Sequence, residues 1–105
     1  MNADASPVLL LLTYDPVPER QEAYFRYVLG EFIPTLERIG LSLQGTWHTA
    51  YGSYPLRLAT FSAPDLTTLR GILASETFQR LETRLQDYVV NYNRRIAPVR
   101  RGFQF

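Results

Sequence analysis

The hydrophobic repeat of this chain changes period at Gly40, and that change narrows the available folds more than any other feature. Before it, apolar residues recur at Phe25, Val28, Leu29, Phe32, Leu36 and Ile39, spacings that collect them on one side of a helix. After it, Leu41, Leu43, Gly45 and Trp47 alternate with Ser42, Gln44, Thr46 and His48, the period of a strand. Upstream, Val8-Leu9-Leu10-Leu11-Leu12-Thr13-Tyr14 is apolar on both parities and stops at Asp15-Pro16-Val17-Pro18, which reads as a strand buried on both faces. Pro18 suits the first turn of the helix that follows, with Glu19 and Glu22 near its positive end. Pro34 cannot bond the carbonyl of Gly30, so a kink is expected inside this helix, with Gly40 as its left-handed stop.

The second half repeats the pattern. A strand at Pro55 to Phe61 joins the preceding one through a type II′ turn at Gly52-Ser53. This register sets Tyr51 opposite Tyr54, His48 opposite Arg57, and Trp47 opposite Leu58. One hairpin face is then mostly apolar, carrying Leu41, Leu43 and Trp47. The other carries Gln44, Thr46, His48 and Arg57 and ends in the two tyrosines. Ser62-Ala63-Pro64-Asp65 offers a capping-box start for a helix with Leu66, Leu69, Ile72 and Leu73, and Ser75 offers another cap. Phe78, Leu81, Leu85, Tyr88 and Tyr92 extend a helical stripe from Glu76 to Tyr92, leaving Asn91 and Asn93 to satisfy its end. Ile96 to Phe103 closes the chain as a strand. Strand, helix, strand, strand, helix, strand is the ferredoxin-like βαββαβ order, an α+β fold with a four-stranded antiparallel sheet. A single domain over residues 1–105 is expected, with an ordered core from about 8 to about 103.

Composition removes several chemistries. There is no Cys, one His, and all 11 basic residues are Arg. Disulfides, thiolate nucleophiles, lysine Schiff bases and metal sites needing two imidazoles are therefore excluded within one chain, and neither metal nor cofactor is expected. A net charge of +1 gives no broad field for nucleic acid. Arg94, Arg95, Arg100 and Arg101 read as solvated charge beside the last strand. The longest apolar run, Val8 to Leu12, is far below the roughly 20 residues that span a bilayer. Met1 to Ser6 carries Asp4 and no basic residue, so neither membrane nor secretory signal is expected, and the location expected is cytoplasmic. No Gly-rich phosphate loop, nucleophile elbow or carboxylate pair is present.

The candidate site lies at the hairpin and the end of the first strand. His48 is the one side chain with an ordinary pKa near neutrality, and a facing Arg57 would favour its neutral, proton-accepting form. These two are the catalytic candidates; a cross-strand polar pair on an exposed hairpin is the plainer interpretation. Tyr14, Tyr51 and Tyr54 at strand ends, with Trp47, His48 and Arg57, are the ligand-binding candidates, since phenols combine an apolar wall with one hydrogen bond. Trp47 also suits a core or dimer contact, and Asp15 suits a turn.

The Phe32-Ile33-Pro34-Thr35-Leu36 segment ending at Gly40, the Gly45-Thr46-Trp47-His48-Thr49-Ala50-Tyr51-Gly52 hairpin and the Ala74-Ser75-Glu76-Thr77-Phe78 junction resemble the dimeric α/β-barrel superfamily. The NIPSNAP-type branch is most similar and the antibiotic-biosynthesis monooxygenase branch is next, over Val8 to Phe103. The resemblance implies a homodimer, with two sheets packed face to face and a cavity in each subunit. Related haem-degrading enzymes carry their iron ligand in the second helix region, whereas no His stands between Asp65 and Asn93 here. Two functions follow as expectations. One is a dimer binding a small apolar or aromatic ligand without turnover. The other is a cofactor-independent monooxygenase or isomerase acting on an aromatic or polyketide-like substrate, with His48 as base and Arg57 or a tyrosine steadying the oxyanion.

Overall fold

A computed structural model of the chain describes residues 6–51 and 54–99, with side chains between 49 and 56 outside the description. Strand β1 (Val8–Pro16) leads into a 3-10 turn (Pro18–Arg20), helix α1 (Gln21–Tyr27), a π-helical turn (Val28–Phe32) and helix α2 (Ile33–Arg38). The hairpin of β2 (Ser42–Tyr51) and β3 (Tyr54–Ala63) follows, then helices α3 (Leu66–Ala74) and α4 (Glu76–Leu85) and strand β4 (Val89–Pro98). The strands form one sheet in the order β2-β3-β1-β4, with every neighbouring pair antiparallel. The expected α+β, ferredoxin-like arrangement is therefore the one found. Its smallest dimension, 19 Å, is that of one sheet and one helical layer.

β1 is the hub of the sheet, paired along both edges. Val8, Leu10, Leu12 and Tyr14 are buried under the helices, and the intervening Leu9, Leu11 and Thr13 are half-buried on the other side. The expectation of burial on both faces holds fully for one face of a single chain. Phe32, Leu36, Phe61, Leu69, Phe78 and Leu85 complete the core against the first set.

The irregularity expected at Pro34 takes the form of a wide turn. Pro34 has no N–H, and the turn before it is π-helical, with the Ile33 N–H bonded to the Val28 carbonyl five residues back. The stop at Gly40 is as expected: φ is +117°, the Gly40 N–H donates to the Glu37 carbonyl, and the Leu41 N–H donates to the Leu36 carbonyl at 3.0 Å. Downstream caps come from Asp65, which accepts from the Thr68 N–H at 2.6 Å, and Ser75, which accepts from the Phe78 N–H at 3.2 Å. Ser62 does not cap; it belongs to β3 and its hydroxyl accepts from Gln44 Nε2.

Two sequence expectations fail for identifiable reasons. The ladder between β2 and β3 shifts between Leu43 and Gly45, so an extra residue breaks the alternation. Leu43 pairs with Phe61 and packs on the core, whereas Trp47 pairs with Leu58 on the opposite, uncovered face. The indole lies along Gly45, where an added Cβ would meet its ring at 2.9 Å. The last helix ends at Leu85 rather than Tyr92, and β4 begins at Val89 rather than Ile96. Asn91 then takes φ +57° at a bulge opposite Thr13 and Asp15 and donates to Asp15 Oδ2 at 2.8 Å, so it serves the sheet rather than a helix end. The Gly52-Ser53 turn, Arg100, Arg101 and Phe103 lie outside the described residues.

Gly40→Ala is expected to lower stability by about 1–3 kcal/mol in urea unfolding, because a Cβ is strained at this φ. It would also stand 3.4 Å from Ile72 Cδ1. An unchanged midpoint would contradict the helix stop.

Candidate functional site

Tyr14 is the last residue of β1 that pairs with β3, and its partner there is Arg57. Both point toward α1, which brings Tyr24 down so that the two phenol oxygens meet at 2.7 Å, with the rings edge to face. The Arg57 guanidinium lies over the Phe25 ring, 4.9 Å from its centroid, and 5.9 Å from that of Tyr24. Its Nε is buried and has no hydrogen-bond partner among the described residues. These groups form the polar end of a cleft between helix and sheet. The helix side runs from Phe25 through Leu29 to Ile33, across the π turn; the sheet side includes Thr46, Ala59 and Phe61. Its volume is about 60 Å³.

Burial pushes the hydroxyls of Tyr14 and Tyr24 above the ordinary phenol value, with Arg57 pulling both partly back. Both therefore stay protonated at physiological pH. One hydrogen joins the pair and the other remains free to donate. Among the described residues, the cleft lining contains no carboxylate and no imidazole, so it can bind and orient an oxygen but brings no ready proton acceptor. Behind it, the Tyr92 ring stacks on Tyr14, and its hydroxyl donates to Glu82 Oε2 at 2.7 Å, the oxygen that Arg94 Nη1 holds at 3.0 Å. Burial first, and Glu82 second, raise the Tyr92 hydroxyl in turn.

Of the residues singled out from sequence, the cleft joins Tyr14 and Arg57. His48 is the backbone partner of Arg57 but is exposed and does not line the cleft. Trp47 is 52% exposed on the other sheet face. Tyr51 and Tyr54 are paired at the end of the hairpin ladder, and their side chains lie outside what the structure describes. Tyr24 is absent from the candidates that sequence suggests, and Phe25 and Tyr92 enter there only as members of helical stripes. Tyr24, Tyr27 and Val28 are all buried at helical spacing, so counting tyrosine with the apolar residues would have brought Tyr24 and Tyr27 into the first stripe. Among the described residues, no group of three His, Asp or Glu side chains is placed to hold a metal ion, and no helix is long and apolar enough to cross a membrane.

This α+β architecture is that of solved NIPSNAP-type structures. A NIPSNAP family protein from Agrobacterium tumefaciens superposes with a TM-score of 0.70 at 16% identity, covering 99% of this chain and 94% of that one. A NIPSNAP-like domain protein from Burkholderia xenovorans gives 0.68 at 19% identity, covering 96% and 90%. An antibiotic biosynthesis monooxygenase-like protein from Deinococcus radiodurans gives 0.68 at 15% identity, covering 93% and 97%. No family model and no curated protein matches the sequence. The shared property is the fold.

Tyr24→Phe leaves the buried Tyr14 hydroxyl without its partner and is expected to cost about 1–3 kcal/mol in chemical unfolding. Tyr14→Phe should cost similarly, and the double substitution clearly less than the sum; strict additivity would deny the pair. Alkaline titration offers a second check. Tyr14, Tyr24, Tyr27 and Tyr92 are all raised above the ordinary value of 10.0. Below pH 10 folded and unfolded chains hold the same phenolic protons. Above it the unfolded chain releases protons that the folded one keeps, so stability falls by up to about 1.4 kcal/mol per pH unit for each group. Phenolate absorbance from these four should emerge together with loss of far-ultraviolet dichroism. Ionisation of all 7 tyrosines at the ordinary value with structure intact would contradict this.

Proposed function

We propose that the chain is a small-ligand-binding protein that works as a homodimer, each subunit holding an apolar ligand in the cleft between helix and sheet. The observation that carries this reading is an apolar cleft whose polar end, Tyr14, Tyr24 and Arg57, keeps unused donors. A folded core ordinarily pairs such groups, and binding sites are where they are left open. Tyr14 and Arg57 are the ligand-binding residues of this proposal; Tyr51 and Tyr54 remain candidates for its rim. Space for about 60 Å³ favours a compact ligand, and an aromatic one would enter only if the cleft widened. The competing reading, a cofactor-independent monooxygenase or isomerase, draws on the likeness to the Deinococcus protein. It has less support because His48, its base, is exposed and is not among the residues that line the cleft.

The dimer is proposed from the uncovered sheet face. Leu9, Leu11, Trp47 and Leu58 share that face, and Arg95 and Asp15 are the charges that the register adds to it among the described residues. A twofold axis would cover this patch with itself. A cytoplasmic location belongs to the same proposal and rests on the lack of cysteine.

Xenon at moderate pressure should shift the amide resonances of Phe32, Ala59 and Phe61 and leave β4 unmoved; no shift at the cleft would overturn the ligand reading. Trp47 is the chain's single tryptophan, so its emission should move to the red on dilution as a 24 kDa species, about twice 12.1 kDa, dissociates. Trp47→Asp should weaken association by about 2 kcal/mol or more while far-ultraviolet dichroism is kept. Single chains at micromolar concentration would refute the dimer.

A further inference from the structure

We infer that the ligand of this cleft is a compact monoanion, a short-chain carboxylate, whose oxygens lie between Arg57 Nε and the free hydroxyl hydrogen of the Tyr14–Tyr24 pair. The inference rests on the reading of the cleft as a ligand site. Its first support is the state of Arg57. The described ion pairs are Arg26 with Glu22, Arg84 with Glu31 and Arg94 with Glu82, and none of them engages Arg57. Its guanidinium carbon stands over the Phe25 ring and, more distantly, the Tyr24 ring. Those ring faces steady the charge but supply no lone-pair acceptor for its N–H bonds. The buried Nε–H is the visible remainder.

The second support is the sign of the whole polar end. Arg57 can only donate, and the tyrosine pair has a hydrogen to spare because burial keeps both phenols protonated. Donors that converge with a positive charge and no carboxylate match a group that only accepts, which an ionised carboxyl does and an alcohol, amide or amine does not. A dianion such as phosphate would carry more charge than one guanidinium balances in an apolar slot. The third support is size. At roughly 10–15 Å³ of such space per water-sized group, about 60 Å³ holds roughly four to six non-hydrogen atoms, a carboxyl with a tail of about one to three carbons. The tail would lie against Phe32 and Phe61.

The test uses the intact chain and two probes of nearly equal shape, butanoate and butan-1-ol, followed in nitrogen–proton correlation spectra that include the arginine Nε–H region. Butanoate is expected to bind at least about tenfold more tightly than the alcohol, to shift the Arg57 Nε–H signal, and to weaken as pH falls through its own acid range. Arg57→Gln should bring butanoate down to about the level of the alcohol, a loss several-fold larger than any loss of alcohol binding; equal losses for the two probes would overturn the anion inference. If butan-1-ol binds in the cleft and butanoate binds no better, the anion inference is overturned while the ligand site stands. If neither butanoate, butan-1-ol nor xenon perturbs the cleft, the ligand site itself is refuted and the inference falls with it. Should Arg57→Gln fail to fold, the comparison of the two probes on the unaltered chain decides the matter alone.

Discussion

The central position of β1 is the constraint on which the rest of the molecule depends. Hydrogen bonded along both edges, its leucines lie over the middle of the sheet, and Leu10 and Leu12 draw the helical layer onto one face. Tyr14 follows in the same alternation, at the end of the pairing with β3. The side chain there is still buried, and its cross-strand neighbour is no longer apolar but Arg57. A continuous hydrophobic strand thus delivers a phenol and a guanidinium to the margin of the core. The π turn at Val28–Phe32 keeps the helix above them from closing the space completely.

Magnitudes explain how such a margin is tolerated. Leaving one buried N–H unpaired costs about 1–3 kcal/mol, and a guanidinium over an aromatic ring returns about 0.5–2 kcal/mol. The two nearly offset, so the free protein can keep Arg57 in place without a carboxylate of its own. An incoming acceptor then meets a donor already oriented and stripped of water. Preorganisation of this kind favours binding because less ordering is left to do. The Glu82, Tyr92 and Arg94 group contributes from behind by holding Tyr14 between two rings.

Much of the fold was legible because its strongest signals are local. The switch at Gly40, the cap at Ser75 and the His48–Arg57 register each follow from backbone chemistry within a few residues. What was not legible involved ambiguous spacing. Residues four apart share a side in a helix and also in a strand, so Tyr88 and Tyr92 read equally well as either; Val89-Val90, β-branched and adjacent, were the signal for a strand. The bulge at Gln44 was invisible for a related reason, since one inserted residue reverses every later side chain without changing composition. The site was half legible. Tyr14 and Arg57 were each named from their strand positions, whereas their pairing across β1 and β3, and the arrival of Tyr24 and Phe25 through the packing of α1, are tertiary facts.

The most direct measurement is a crystal of the chain soaked in 3-bromopropanoate, with the bromine located by its anomalous signal. The bound ligand places bromine against the Phe32 and Phe61 side chains that line the cleft and a carboxylate oxygen roughly 3 Å from Arg57 Nε. Bromine found only on the uncovered sheet face or at surface arginines, with the cleft holding water alone, would contradict it.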